Sequence, residues 1–234
     1  RANSEITETA ETGEAVSGDL VVDMAVSDTR ERVDILADSP RLPVSNPEVR
    51  GSIALTGGFI DDLALNKYFE TLEKEENVVL LSPAGSEAPR FIDMGWMPAE
   101  DGKVSLPGKD TRWRVEGNKT LTPETPVTLV WKNKQGLRFE RAFSIDENYM
   151  FTVTQRVINR SGTAVTLFPY ALVSQQGLGD VSGSRAGMEG LVGYLDDELE
   201  ERAFGKMIKD PKRTFRANSG WIGITHQYWL TSII

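Results

Sequence analysis

In the paired runs Val127–Lys132 and Leu137–Ile145 the large side chains alternate along the chain. Val127, Leu129 and Trp131 alternate with smaller or polar neighbours, and Leu137, Phe139 and Phe143 do the same after Asn133–Gly136. A period of two lines one face of an extended strand, whereas a helix would scatter those positions around its circumference. The four residues Asn133–Gly136 join the two runs as a hairpin turn. Strands this long and this regular need a second apolar surface to cover their buried face. The expected fold class is therefore all-β, a large antiparallel β-sandwich built from two packed sheets.

The rest of the chain fits that frame. From Arg32 onward the pattern is again of period two. Val49–Thr56 reads as a strand ending at Gly57-Gly58, Phe59–Tyr68 as its successor, and Asn77–Ser82 as another before Pro83. Tyr149–Asn159 and Ala164–Val173 read as a second long hairpin around Arg160-Ser161-Gly162. Leu191–Met207 is mixed, either a strand with turns or a short helix. The last segment, 219–234, follows Ser219, a possible helix cap, and carries no charge beyond Arg216. It reads as a short C-terminal helix about 22 Å long, less than the roughly 30 Å hydrocarbon core of a bilayer.

Charge and composition divide the chain. Residues 1–31 hold eight acids and two bases, −6 of the total −9. No aromatic residue precedes Phe59. A segment so poor in apolar surface cannot offset its own ordering entropy, so residues 1–28 are expected to be a flexible acidic tether. Residues 29–218 are assigned to the sandwich and 219–234 to a helical linker. The nearly neutral remainder has no basic stripe to neutralise phosphates, which argues against nucleic-acid binding. With no cysteine, a disulfide framework and thiolate chemistry are excluded.

Catalytic and cofactor signals are sparse. The single histidine, His226, lies in the apolar last segment with no Gly-x-Ser-x-Gly elbow to partner it, and reads as a packed or interfacial side chain. Gly177–Gly193 contains six glycines without a Gly-Lys-Ser/Thr ending, so it reads as a mobile loop rather than a phosphate cradle. Asp61-Asp62 and the acidic run Asp196–Glu201 read as solvated turn and edge charges, because neighbouring strand residues point to opposite faces. No catalytic, metal or cofactor site is assigned. Trp96, Trp113 and Trp131 are candidates for core or cleft lining. Trp221, Ile222, Ile224, Tyr228, Trp229, Leu230 and Ile233 form a candidate interface, either with a membrane surface or with a groove on the sandwich.

Several stretches resemble the first periplasmic region of the YidC-type insertases of Gram-negative bacteria (the YidC/Oxa/Alb family). They are Arg32–Asp38 (RVDILAD), Gly51–Tyr68 (GSIALTGGFIDDLALNKY), Asn77–Pro83 (NVVLLSP) and Ser219–Ile233 (SGWIGITHQYWLTSI). The resemblance runs from about residue 32 to the end. It implies a super-sandwich related to galactose mutarotases and a C-terminal helical linker towards the next transmembrane segment. It also implies a place on the periplasmic side of the inner membrane. Membrane protein substrates and components of the Sec translocon are the implied partners, with no catalysis of its own. The mutarotase kinship leaves a carbohydrate-binding or aldose-epimerase-like protein as the alternative. A module that binds extended polypeptide in an aromatic-lined cleft is a further reading.

Overall fold

The computed structural model describes residues 29–99, 104–177, 188–207, 210, 212–226 and 228–234. The expected tether at 1–28 and most of the expected loop in Gly177–Gly193 lie outside those residues.

Fourteen strands and two short helices make up the described chain. Helix α1 is Arg32–Ala37, followed by β1 (Arg41–Ser45), β2 (Val49–Ala54), β3 (Ile60–Phe69), β4 (Asn77–Leu81) and β5 (Arg90–Pro98). Next come β6 (Arg114–Thr122), β7 (Thr125–Lys132), β8 (Leu137–Ile145), β9 (Phe151–Asn159) and β10 (Leu167–Gln175). The chain closes with β11 (Gly190–Leu195), β12 (Glu198–Ala203), α2 (Phe204–Met207), β13 (Gly220–His226) and β14 (Trp229–Ile233). The first ten strands form one sheet in the order β10-β5-β3-β2-β1-β6-β7-β8-β9, with β4 paired to β3; β12-β11-β13-β14 form a second sheet. Pairing is antiparallel except where β1 meets β6 in parallel at Val44 and Leu121.

The large sheet folds back on itself. β5 and β8 lie near opposite ends of the strand order, yet Trp96 and Phe139 meet edge to face with ring centroids 5.1 Å apart. One core fills the space between the two halves, with Leu42, Ile53, Ile60, Leu121, Val127, Leu129, Phe139 and Phe143 all buried. The all-β class follows directly from the alternation, since each strand presents one face to this core. β7 and β8 form the expected hairpin, with Trp131 opposite Phe139.

Three local expectations are corrected and one open reading, that of 191–207, is resolved. RVDILA is helical (α1) rather than extended, and it packs no buried residue of its own. β9 and β10 do not form a hairpin: β9 pairs with β8 and β10 with β5, so the chain crosses from one end of the sheet to the other. Alternation shows that a segment is a strand; it does not name its neighbour. The 191–207 stretch is a β11–β12 hairpin followed by one turn of helix. The short C-terminal helix is absent, because residues 220–233 form the β13–β14 hairpin, with His226 opposite Trp229. Gly220 and Gly223 weaken a helix there, and β-branched Ile222, Ile224, Thr225, Thr231 and Ile233 favour extended backbone. Gly220 has φ +133° against the backbone of Tyr194, and a Cβ on Gly223 would lie 2.5 Å from the Thr231 carbonyl oxygen. No described helix is long and apolar enough to cross a membrane.

Candidate functional site

A cleft of about 640 Å³ lies between the large sheet and β14. Strands β3, β4 and β5 supply Leu63, Leu65, Tyr68, Leu80, Ile92 and Met94, and β9 with its preceding turn supplies Met150, Phe151 and Val153. The third wall is the continuous stretch Tyr228–Ile234. Trp229 anchors that wall by standing edge-on to Tyr68, ring centroids 4.8 Å apart. None of the described lining residues carries a formal charge. A surface of this kind favours apolar, uncharged ligands and has no charged group with which to grip a phosphate or carboxylate.

A second cleft of about 370 Å³ lies between β10 and the small sheet. Its floor is apolar, with Leu172, Leu191, Ile222 and Ile224, and its rim is charged, with Glu200, Arg202 and Arg213. Those rim charges are engaged: Arg213 faces Glu200 at 3.3 Å and Arg202 faces Asp210 at 2.7 Å.

The buried charged groups hold the sandwich together. Arg141 occupies a core-facing position of β8 and is only 2% exposed. Its guanidinium donates to the carbonyls of Gly57 (3.3 Å), Gly58 (3.0 Å) and Met94, and so ties the β2–β3 turn and β5 to β8. Trp113 and Trp96 flank it, at 4.6 and 5.7 Å from their ring centroids. Burial pushes the Arg141 pKa down to about 10, opposed by Asp93 and Tyr170, so the group stays charged at neutral pH. Asp93 is pushed up by burial, against the hydrogen bond it accepts from the Tyr170 hydroxyl (2.9 Å) and the nearby Arg141 charge.

Asp61 and Asp62 are not solvated edge charges. Both are buried, Asp61 paired with Arg41 and Asp62 with Arg32 of α1. The β2–β3 register slips between Ser52 and Ile53, leaving Asp61 as the extra residue. A bulge of this kind breaks the alternation and lets successive side chains share one polar pocket, so the opposite-face argument fails here. Ser52 donates to Asp62 (2.5 Å) and accepts from Arg41 Nε (2.6 Å), which joins the two pairs. Burial raises the Asp61 pKa, opposed by Arg41.

His226 is half-buried at the seam between the two sheets. Its Nε2 lies 2.6 Å from the Gln175 side-chain oxygen of β10, and its ring packs 5.8 Å from Phe204. Burial lowers its pKa, with Arg90 adding and Glu189 opposing. Among the described residues no group of three His, Asp or Glu side chains is placed to hold a metal ion.

The candidate interface residues are therefore divided. Tyr228, Trp229, Leu230 and Ile233 line the 640 Å³ cleft, while Ile222 and Ile224 line the smaller one; Trp221 lines neither. Trp96 and Trp113 are core residues around Arg141, and half-buried Trp131 tilts against Phe139 at 5.6 Å; none of the three lines either cleft. Tyr68, Met94, Met150 and Phe151 escaped notice in the sequence, where each is one apolar residue in an ordinary strand pattern.

The model of the YidC periplasmic domain family matches residues 41–234. Curated relatives include a protein of Bradyrhizobium diazoefficiens, 42% identical over 200 residues, which make up 85% of this chain and 32% of that protein. One of Beijerinckia indica is 42% identical over 206 residues (86% and 34%), and one of Maricaulis maris 36% over 211 residues (90% and 36%). All three carry the name membrane protein insertase YidC. The chain spans about one third of the length of these relatives.

Proposed function

The chain belongs to the YidC periplasmic domain family, and from that membership we propose that it is the periplasmic module of an inner-membrane protein insertase. The module offers a binding surface to membrane proteins during insertion and folding and performs no chemistry of its own. The observation that carries this reading is the charge-free cleft of about 640 Å³ closed on one side by Tyr228–Ile234. Such a surface matches segments that are themselves apolar and uncharged, which is what an insertase handles. Components of the Sec translocon are the other proposed partners, for which the charged rim of the smaller cleft suits a polar protein interface better.

The carbohydrate alternative fits the residues less well. Epimerisation needs an acid and a base facing one substrate. The buried carboxylates Asp61 and Asp62 already face arginines, and His226 sits at the sheet seam against Gln175.

Site-specific photo-crosslinking in the full-length insertase tests the proposal. A photoreactive residue at Leu230 is expected to capture newly made membrane proteins, whereas one at Leu72, 95% exposed and outside both clefts, captures few. Equal capture from the two positions overturns the reading.

A further inference from the structure

We propose that the outer face of strands β6–β9 is a docking surface for the anionic phospholipid headgroups of the membrane beside which the domain sits. The insertase reading is needed only for the presence of that membrane; the chemistry of the face rests on its own residues.

Strand register sets the face. Directly opposite residues of an antiparallel pair share one side of the sheet. Arg114, Val130, Glu140 and Arg156 form one such row across β6, β7, β8 and β9. Lys132, Arg138 and Ile158 form the next, and Glu116, Thr128, Ala142 and Thr154 a third. The alternate positions of the same strands, among them Leu129, Phe139 and Phe143, fill the core, so these three rows face away from it. With Arg160 just past β9, the face carries five bases against two acids, a balance of +3 in a chain whose total is −9. The bases are scattered between residues 114 and 160, which is why the sequence shows no basic stripe; the sheet gathers them.

The two acids engage only two of the bases. Arg138 reaches Glu116 at 2.7 Å and Glu140 at 2.5 Å, and Glu140 lies 3.5 Å from Arg156. Among the described residues the side chains of Arg114, Lys132 and Arg160 have no ion-pair or hydrogen-bond partner. Lys132 and Arg160 flank Arg138 around a concavity of about 410 Å³ that Glu140 and Ile158 also line. Their backbones are held in place there. The Arg160 N–H donates to the Gly136 carbonyl (2.9 Å), and the Asn133 side-chain oxygen accepts from the Leu137 N–H (2.9 Å). Arg114 stands one row away on β6.

The rest of the face selects the partner. Protein partners are gripped by large apolar or aromatic anchors near the centre of an interface. None of the large exposed apolar side chains among the described residues lies on these rows. Their uncharged members are Thr128, Ala142 and Thr154, with Val130 buried and Ile158 half-buried. Unpaired charge without an anchor matches a plane of phosphates, near which each base raises partition about fivefold.

The test is co-sedimentation of the 234-residue chain with vesicles of phosphatidylcholine alone or mixed with phosphatidylglycerol. Binding is expected only to the mixed vesicles and should fall steeply between about 0.05 and 0.5 M salt. The triple variant Arg114→Gln, Lys132→Gln, Arg160→Gln should lower partition by on the order of 100-fold. Its melting temperature should stay unchanged, because those side chains hold no partner in the described fold. Lys74→Gln, Lys206→Gln, Arg216→Gln removes the same charge from exposed positions elsewhere and should bind nearly as the unaltered chain does.

Equal binding to the two kinds of vesicle overturns the proposal. Equal losses in the two triple variants mean that net charge alone governs binding and overturn it too. Release from the vesicles by inorganic phosphate at matched ionic strength assigns the face to free phosphate and overturns the lipid assignment. Tighter binding of soluble polyglutamate than of the mixed vesicles assigns it to an acidic polypeptide, with the same consequence. A Lys132→Cys thiol that resists labelling in a longer form of the protein shows the face covered by another segment, and likewise overturns it. Absence of lipid preference alongside selective crosslinking from Leu230 removes the docking face and leaves the insertase reading in place.

Discussion

Replacing Arg141 with methionine separates the two opposing effects of burying a cation in this core. The fall of its pKa to about 10 corresponds to a net cost of roughly 3 kcal/mol for keeping the charge in the folded state. Against this stand three hydrogen bonds from a charged donor to the carbonyls of Gly57, Gly58 and Met94, each worth about 1.5–3 kcal/mol. The flanking Trp113 and Trp96 faces add about 1–2 kcal/mol in this desolvated setting. The bonds and ring contacts outweigh that cost, for a net loss of at least about 3 kcal/mol in Arg141→Met. Urea unfolding followed by tryptophan fluorescence reads this directly. With a slope of about 2–3 kcal/mol/M the midpoint should fall by at least about 1 M at unchanged slope. Arg141→Lys keeps the charge but loses the planar fork, so its midpoint should lie between the two. A midpoint for Arg141→Met equal to or above that of the unaltered chain refutes the reasoning: the desolvation cost then dominates, as it does in some buried ion pairs.

Two further outcomes follow from the seam between the sheets and the terminal hairpin. The His226 pKa is lowered in the fold, so the unfolded chain takes up its proton first and the stabilising contribution, present above about pH 6.5, is lost as pH falls below it. Melting temperatures at pH 7.5 and 5.5 should show a larger drop for the unaltered chain than for His226→Gln; equal drops refute this. Gly223→Ala places a Cβ 2.5 Å from the Thr231 carbonyl oxygen and should loosen β14, seen as faster amide exchange at Thr231 and Ile233 while β7 and β8 stay protected. Unchanged exchange at those two positions would show that the hairpin absorbs the methyl group.

Much of the fold was legible because period-two alternation is a local property. Leu137, Phe139, Phe143 and Ile145 all point inward in β8, as their spacing requires. The same spacing places Arg141 inward too, a polar residue in an apolar register and the one sequence signal that could have disclosed the buried cation. The cleft was less legible. Its wall residues come from β3, β4, β5, β9 and the terminal hairpin, and their meeting depends on a sheet that folds over itself. The apolar, uncharged character of 219–234 is visible in the sequence, and parts of it line the two clefts; its conformation is a hairpin rather than the expected helix.

From the sequence alone came an all-β chain, strands at β2, β3, β4, β7 and β8, a hairpin at Asn133–Gly136, and the nearly neutral residue balance after the acidic first 31 residues. These depend on neighbours a few residues apart: side-chain alternation, turn residues and the sign of charge. Tertiary structure decided that β9 and β10 lie at opposite ends of one sheet. It also decided that a bulge brings Asp61 and Asp62 to one arginine-lined pocket, and that β13 extends because β11 offers it an edge. Each of these is a choice among partners distant in the chain. Hydrogen-bond ladders accept many strands equally well, and only packing against the whole core selects one.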